Sequence, residues 1–71
     1  MKIKCNDFQS NEIIKMIREN LELTQLEFGK RINKSNKCVQ YYEYGTRNYD
    51  FELLLKFCKK NNLIITIESK K

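Results

Sequence analysis

The chain has no histidine, proline or tryptophan, and only two glycines and three cysteines among its 71 residues. Cys5, Cys38 and Cys58 are far apart in sequence, and no pair has the CxxC spacing of a zinc site. An odd number of cysteines also argues against a disulfide framework and fits a reducing compartment. We therefore expect neither a metal nor a cofactor.

Several features of enzymes and membrane proteins are missing as well. The sequence offers no histidine as a general base, no glycine-rich phosphate loop and no cysteine with a base beside it. No apolar run is long enough to span a membrane, and the first residues lack the apolar core of a signal peptide. These absences predict a cytoplasmic protein without enzymatic activity.

Positive charge is the main compositional feature that is present. The formal net charge is +5 at pH 7, which favours a polyanionic partner. A single domain of this length buries only about 60% of the surface that its unfolded chain exposes, so its stability alone is marginal. Oligomerisation would add to that stability.

Most of the chain has the pattern of amphipathic helices, so the predicted fold class is mostly α. Ile13, Ile14 and Ile17 recur at helical spacing after Ser10 or Asn11, either of which is a suitable N-cap. The predicted helices span residues 10–20, 25–32, 36–44 and 50–61.

The fourth predicted helix has the clearest apolar face. Asp50 is a suitable cap, and Phe51, Leu54, Leu55 and Cys58 follow on one side. We expect this side to pack on the core.

The most specific stretch is residues 24–45, which has the pattern of two short helices joined by a tight turn. Phe28 and Ile32 lie four residues apart on one face, beside Gly29, which lets another backbone approach closely. Asn33 tolerates the positive φ of a sharp turn. Ser35 is a good N-cap for the second helix.

This arrangement resembles the helix-turn-helix of the lambda repressor, Cro and Xre family. The matching positions are Gln25, Phe28, Gly29, Val39, Tyr42, Glu43, Gly45 and Arg47. With its flanking helices the resemblance covers residues 10–62. It implies a compact four-helix domain whose second motif helix, residues 36–44, enters the major groove of double-stranded DNA.

Side chains at the start of such a helix lie nearest to the bases. Here they are Asn36, Lys37, Gln40 and Tyr41, which we expect to contact base edges. The expected phosphate contacts are Gln25, Lys34, Ser35, Tyr44, Arg47 and Asn48. The alternative for each residue is an ordinary polar surface position.

The resemblance also implies an ion pair between Arg18 and Glu43, which would join the first helix to the recognition helix. The alternative is two ordinary surface charges. If the pair is partly buried, losing one partner should cost more than the 0 to about 1 kcal/mol of an exposed pair.

After the fourth helix the sequence changes to β-branched and apolar residues, which predicts a strand over about residues 63–68. Leu63, Ile64, Ile65 and Ile67 are the predicted dimerisation residues. A lone strand needs a partner for its backbone. The two candidates are the same strand of a second molecule and the N-terminal segment 2–5, and we expect a sheet between the subunits of a homodimer.

The predicted function is that of a sequence-specific DNA-binding transcriptional regulator, most simply a dimeric repressor at an inverted repeat. The alternative is an antitoxin that represses its own operon and binds a toxin, because a helical body followed by LIITI resembles HipB antitoxins of kinase toxins. A partner-binding domain that no longer binds DNA is disfavoured by Lys37, Gln40 and Arg47. We expect no small-molecule ligand, since no separate domain would hold one.

Overall fold

The structure is a computed structural model that describes residues 1–70. Within residues 1–70, a 3₁₀ turn at Cys5–Asp7 is followed by four α-helices. The helices are α1 (Ser10–Asn20), α2 (Gln25–Ile32), α3 (Asn36–Tyr44) and α4 (Phe51–Lys60). They begin and end within one residue of the predicted ranges. None of the helices in residues 1–70 has the length and apolar character needed to cross a membrane.

The core lies where the four helices meet. Its buried members are Ile14, Ile17, Phe28, Val39, Tyr42 and Phe57. The rings of Phe28 and Phe57 pack with their centroids 4.8 Å apart, which joins α2 to α4. One aromatic contact therefore connects the helix-turn-helix to the last helix.

Side chains at the helix N-termini fix where each helix begins. Ser35 accepts a hydrogen bond from the Cys38 N–H, and Asp50 accepts one from Leu53. At α2 the Thr24 N–H donates to the Glu27 carboxylate and the Thr24 hydroxyl accepts from the Glu27 N–H. The bond from the Thr24 N–H to the carboxylate lowers the pKa of Glu27, and the Thr24 side chain lowers it further.

Two details of the helices differ from prediction. Gln9, not Ser10 or Asn11, is the N-cap of α1, and the Gln9 N–H donates to Glu12 Oε1 at 2.9 Å. Phe51 is 57% exposed rather than packed on the core. It occupies the first turn of α4, before the apolar face of that helix reaches the other helices.

The predicted terminal strands are not seen in residues 1–70, where the chain forms no β-strand. Residues 63–70, which we call the tail, have no regular secondary structure. The N-terminal strand was wrong at Cys5, which begins the 3₁₀ turn because the Phe8 N–H bonds back to the Cys5 carbonyl. A strand between subunits needs the second chain for its hydrogen bonds, so it remains a proposal.

Candidate nucleic-acid interface

The turn between α2 and α3 sets the direction of the third helix. Asn33 has φ 59° and ψ 45°, the left-handed conformation that asparagine tolerates. The Lys34 N–H then donates to the Gly29 carbonyl at 2.8 Å. A Cβ at Gly29 would lie only 2.6 Å from the Lys34 carbonyl oxygen, so the turn requires glycine there.

Helix α3 has one buried face and one exposed face. Val39, Tyr42 and Glu43 are buried against the other helices. Asn36 and Lys37 are both exposed at the N-terminal end of the helix, and Lys37 lies on the side opposite the buried residues. The periodicity of the helix therefore puts polar tips outward at the end that the family places nearest DNA.

The other two predicted base-contacting residues are more constrained. Gln40 and Tyr41 are half-buried. The guanidinium carbon of Arg47 lies 5.2 Å from the Tyr41 ring centroid, a cation–π geometry. Arg47 Nη1 also approaches Cys38 Sγ at 3.9 Å. Tyr41 thus has an ordered ring between the helix and the arginine.

A buried ion pair holds α3 to α1. Arg18 Nε lies 2.6 Å from Glu43 Oε2, and Arg18 Nη2 lies 3.0 Å from Glu43 Oε1. The side chains are 13% and 2% exposed, respectively. Hydrogen bonding to Glu43 raises the pKa of Arg18. The two parallel N–H···O bonds have the bidentate geometry that arginine and carboxylate favour.

Gln25 contacts the Arg18–Glu43 pair and is also partly exposed to solvent. Its Nε2 donates to Glu43 Oε1 at 3.2 Å, and its side chain is half-buried at the start of α2. An amide nitrogen carries two hydrogens, so one remains for a second acceptor.

The other predicted phosphate contacts surround α3. Lys34, Ser35, Tyr44, Arg47 and Asn48 are all exposed, and Tyr44 reaches 75%. The Ser35 oxygen accepts the cap bond from Cys38, which leaves its O–H free to donate. These residues flank the helix at its two ends.

The charge of this surface is positive. Residues 33–49 contain three basic side chains, Lys34, Lys37 and Arg47, and one acidic side chain, Glu43. Glu43 is buried and paired with Arg18, so its charge does not oppose an anionic ligand. A phosphate backbone that approaches α3 therefore meets only exposed cations in this stretch.

One positioning residue, Asn11, and one further contact of Arg18 were missed from the sequence. Asn11 Nδ2 donates to the Glu43 carbonyl at 3.3 Å, and Arg18 Nη1 donates to the Leu23 carbonyl at 2.9 Å. Asn11 had been considered only as a helix cap. Its position about two turns before Arg18, on the same face of α1, was the available signal.

The described residues also bear on metal binding. Among residues 1–70 no group of three or more His, Cys, Asp or Glu side chains could hold a metal ion. Cys5, Cys38 and Cys58 are all free thiols.

A short helix whose polar tips point outward, held on a second helix by a glycine contact and a tight turn, defines a helix-turn-helix DNA-binding domain. A family model described as helix-turn-helix matches residues 14–63, which is most of the chain. The protein belongs to this helix-turn-helix family, of the Xre and lambda Cro type. No curated protein and no solved structure matches the chain.

Membership in this family gives the general function. The protein is a DNA-binding transcriptional regulator, and its partner is double-stranded DNA.

Proposed function

We propose that the protein is a homodimeric repressor that occupies an inverted-repeat operator and blocks transcription from it. The observation that carries this proposal is the exposure of Asn36 and Lys37 at the leading end of α3, with Lys37 on the side opposite the buried face of that helix. In a dimer, two such helices about 34 Å apart would meet successive major grooves on one side of the duplex.

The base contacts follow from the chemistry of the exposed tips. Lys37 donates to O6 or N7 of guanine, and Asn36 and Gln40 pair with N6 and N7 of adenine. Tyr41, held under Arg47, presents its ring edge to a thymine methyl group. Asn36 and Lys37 carry most of the discrimination, because Gln40 and Tyr41 are half-buried.

The phosphate contacts fix the position of the protein on the duplex. The remaining amide hydrogen of Gln25 and the hydroxyl of Ser35 lie at the N-termini of α2 and α3, where the helix dipole favours an anion. Lys34, Tyr44, Arg47 and Asn48 supply further donors. Because Gln25 also bonds to Glu43, phosphate binding at Gln25 and the Arg18–Glu43 pair act on the same network.

Dimerisation involves the tail. Ile64 and Ile67 are 90% and 92% exposed, whereas Leu63 packs against the core. An extended apolar segment of this kind is a template for pairing with another chain. Leu63, Ile64, Ile65 and Ile67 therefore form an intersubunit strand in the proposed dimer.

The experiment that tests this function is selection of binding sites from random duplexes by the purified protein. We expect an inverted repeat whose half-site centres lie about 10 base pairs apart. Selection of a single half-site would refute the dimeric mode, and recovery of unrelated sequences would refute specificity. A reporter placed downstream of the selected operator should lose expression when the protein is present, as a repressor requires.

A second candidate function is that of an antitoxin. The exposed apolar tail favours it, because the tail could be covered by a toxin as well as by a second subunit. A kinase-like toxin encoded beside the gene, and its co-purification with the protein, would support this function. Full repression by the protein alone, with no adjacent toxin gene, would argue against it.

A further inference from the structure

An apolar groove lies away from the proposed DNA-binding residues. Its volume is about 290 Å³, and its lining consists of Cys5, Ser10, Ile13, Tyr49, Phe51 and Leu54. The groove therefore joins the N-terminal segment, the start of α1 and the start of α4. Phe51, which is 57% exposed, is one of the residues that line it.

The tail has an apolar surface of its own. The Leu63 N–H donates to the Cys58 carbonyl at 2.9 Å, which fixes the start of the tail at the end of α4. Ile64 and Ile67 follow, with about nine-tenths of their surface exposed. The same chain thus carries an open apolar groove and an apolar segment that does not fill it.

The positions of these two features suit an exchange between two subunits. The groove lies at the N-terminal end of α4 and the tail starts at the C-terminal end, about 15 Å away for a ten-residue helix. When two α4 helices pack antiparallel about a two-fold axis, the end of one lies beside the start of the other. Each tail then emerges next to the groove of its partner, and the contact closes symmetrically.

The chemistry of the two surfaces supports the same pairing. None of the residues that line the groove is charged, so the groove offers no cation to a DNA phosphate. Ile64 and Ile67 are the most exposed large apolar side chains of the described residues, at 90% and 92%. An apolar protein segment is therefore the better occupant of the groove.

We propose that the tail of each subunit lies in the apolar groove of its partner, where Ile64 and Ile67 cover Phe51. This placement selects residues 2–4, which lead into the groove residue Cys5, as the segment that pairs with the tail. Lys4 has the extended backbone that such pairing needs, with φ −86° and ψ 97°. The inference rests on the proposed homodimer and specifies the surfaces that join it.

Cross-linking tests the placement directly. Cys5 is exposed and lines the groove, so Ile67→Cys should form a disulfide with Cys5 of the other subunit. The variant is made together with Cys38→Ser, while Cys58 is buried and stays. Mixed isotope-labelled and unlabelled chains, oxidised and digested, should give a 5–67 peptide that joins the two labels.

Other linkages would overturn the placement. A 67–67 linkage would mean that the tails pair with each other, and a 5–67 linkage within one chain would mean that the tail fills its own groove. Leu26→Cys in the same background is the control, because Leu26 is 53% exposed on α2 and does not line the groove. It should give no linkage to Cys5.

A dissociation measurement separates this inference from the homodimer itself. We expect Phe51→Ser to raise the dimer dissociation constant at least about tenfold, and Leu26→Ser, at a similarly exposed site, to leave it within about twofold. An unchanged constant for Phe51→Ser would refute the groove assignment and leave the homodimer standing. A wild-type protein that sediments as a monomer at all concentrations would refute the homodimer. Circular dichroism verifies that both variants are folded.

Discussion

Arg18 and Glu43 are 25 residues apart in sequence and form a bidentate ion pair that joins α1 to the recognition helix α3. The Glu43 side chain is 2% exposed, so its charge depends on Arg18 and Gln25 for compensation. The orientation of the recognition helix and the stability of the domain therefore depend on the same contact.

Arg18→Met should lower the free energy of unfolding by about 3 to 5 kcal/mol, because it leaves a buried carboxylate without its cation. Urea unfolding measures the change. Glu52→Gln is the control, since the Glu52–Lys56 pair is exposed and its atoms are 3.9 Å apart. That variant should change stability by less than about 1 kcal/mol. A loss of similar size in both variants would contradict the buried role of Arg18.

Gly29→Ala should destabilise the domain even though alanine is the better helix former. The new Cβ would lie 2.6 Å from the Lys34 carbonyl oxygen, so the turn must shift, at a cost of about 1 to 3 kcal/mol. Because the turn orients α3, operator affinity should fall as well. Thermal unfolding and a binding titration test both effects. A stabilised variant would show that the α2–α3 turn is looser than the contact implies.

Glu22→Gly should stabilise the domain by about 0.5 to 1 kcal/mol. Glu22 has φ 57°, a left-handed conformation that costs a residue with a Cβ about 1 kcal/mol and costs glycine little. Asn33→Gly, at φ 59°, should raise stability by less than Glu22→Gly, because asparagine tolerates the left-handed region better than glutamate does. Glu19→Gly, inside α1, should instead lower the free energy of unfolding, because glycine is a poor helix former. Chemical denaturation ranks the three variants.

Stability should fall at alkaline pH through Tyr42. Burial raises the pKa of Tyr42 to about 12, with a further contribution from its hydrogen bond to Cys38, whereas the unfolded chain ionises near 10. The neutral Tyr42 side chain makes its full contribution to the free energy of unfolding below pH 10. This contribution is lost as the pH rises to about 12, at up to about 1.4 kcal/mol per pH unit.

Tyr42→Phe isolates this effect from the titration of the other side chains. When both proteins are measured from pH 9 to 11.5, the unfolding free energy of the wild type should fall relative to that of Tyr42→Phe as the pH rises above 10. Parallel curves would mean that Tyr42 does not govern the alkaline loss.

The helices could be predicted from sequence because each depends on local signals. Ser35 and Asp50 are caps whose bonds lie within one turn, and Asn33 and Gly45 tolerate the positive φ that ends α2 and α3. The helix-turn-helix motif and the family followed from the spacing of such residues.

The remaining features depend on distant contacts that no local pattern contains. The bond from Asn11 to the Glu43 carbonyl spans 32 residues, and the exposure of Phe51 depends on where α4 meets the other helices. The tail has strand propensity, but a strand forms only when a partner supplies the other half of the hydrogen bonds. The sequence of the tail therefore indicates that it can form a strand, and it does not indicate which surface the tail contacts.

The central claim is that the leading tips of α3 distinguish bases while the flanking residues bind phosphates. Lys37→Ala and Lys34→Ala should be titrated against the selected operator and against operators with single base-pair changes, at several salt concentrations. We expect Lys37→Ala to lose about 1 to 3 kcal/mol of discrimination at one base pair, and Lys34→Ala to weaken all duplexes equally with a smaller salt slope. Equal weakening on every duplex by Lys37→Ala would contradict the account.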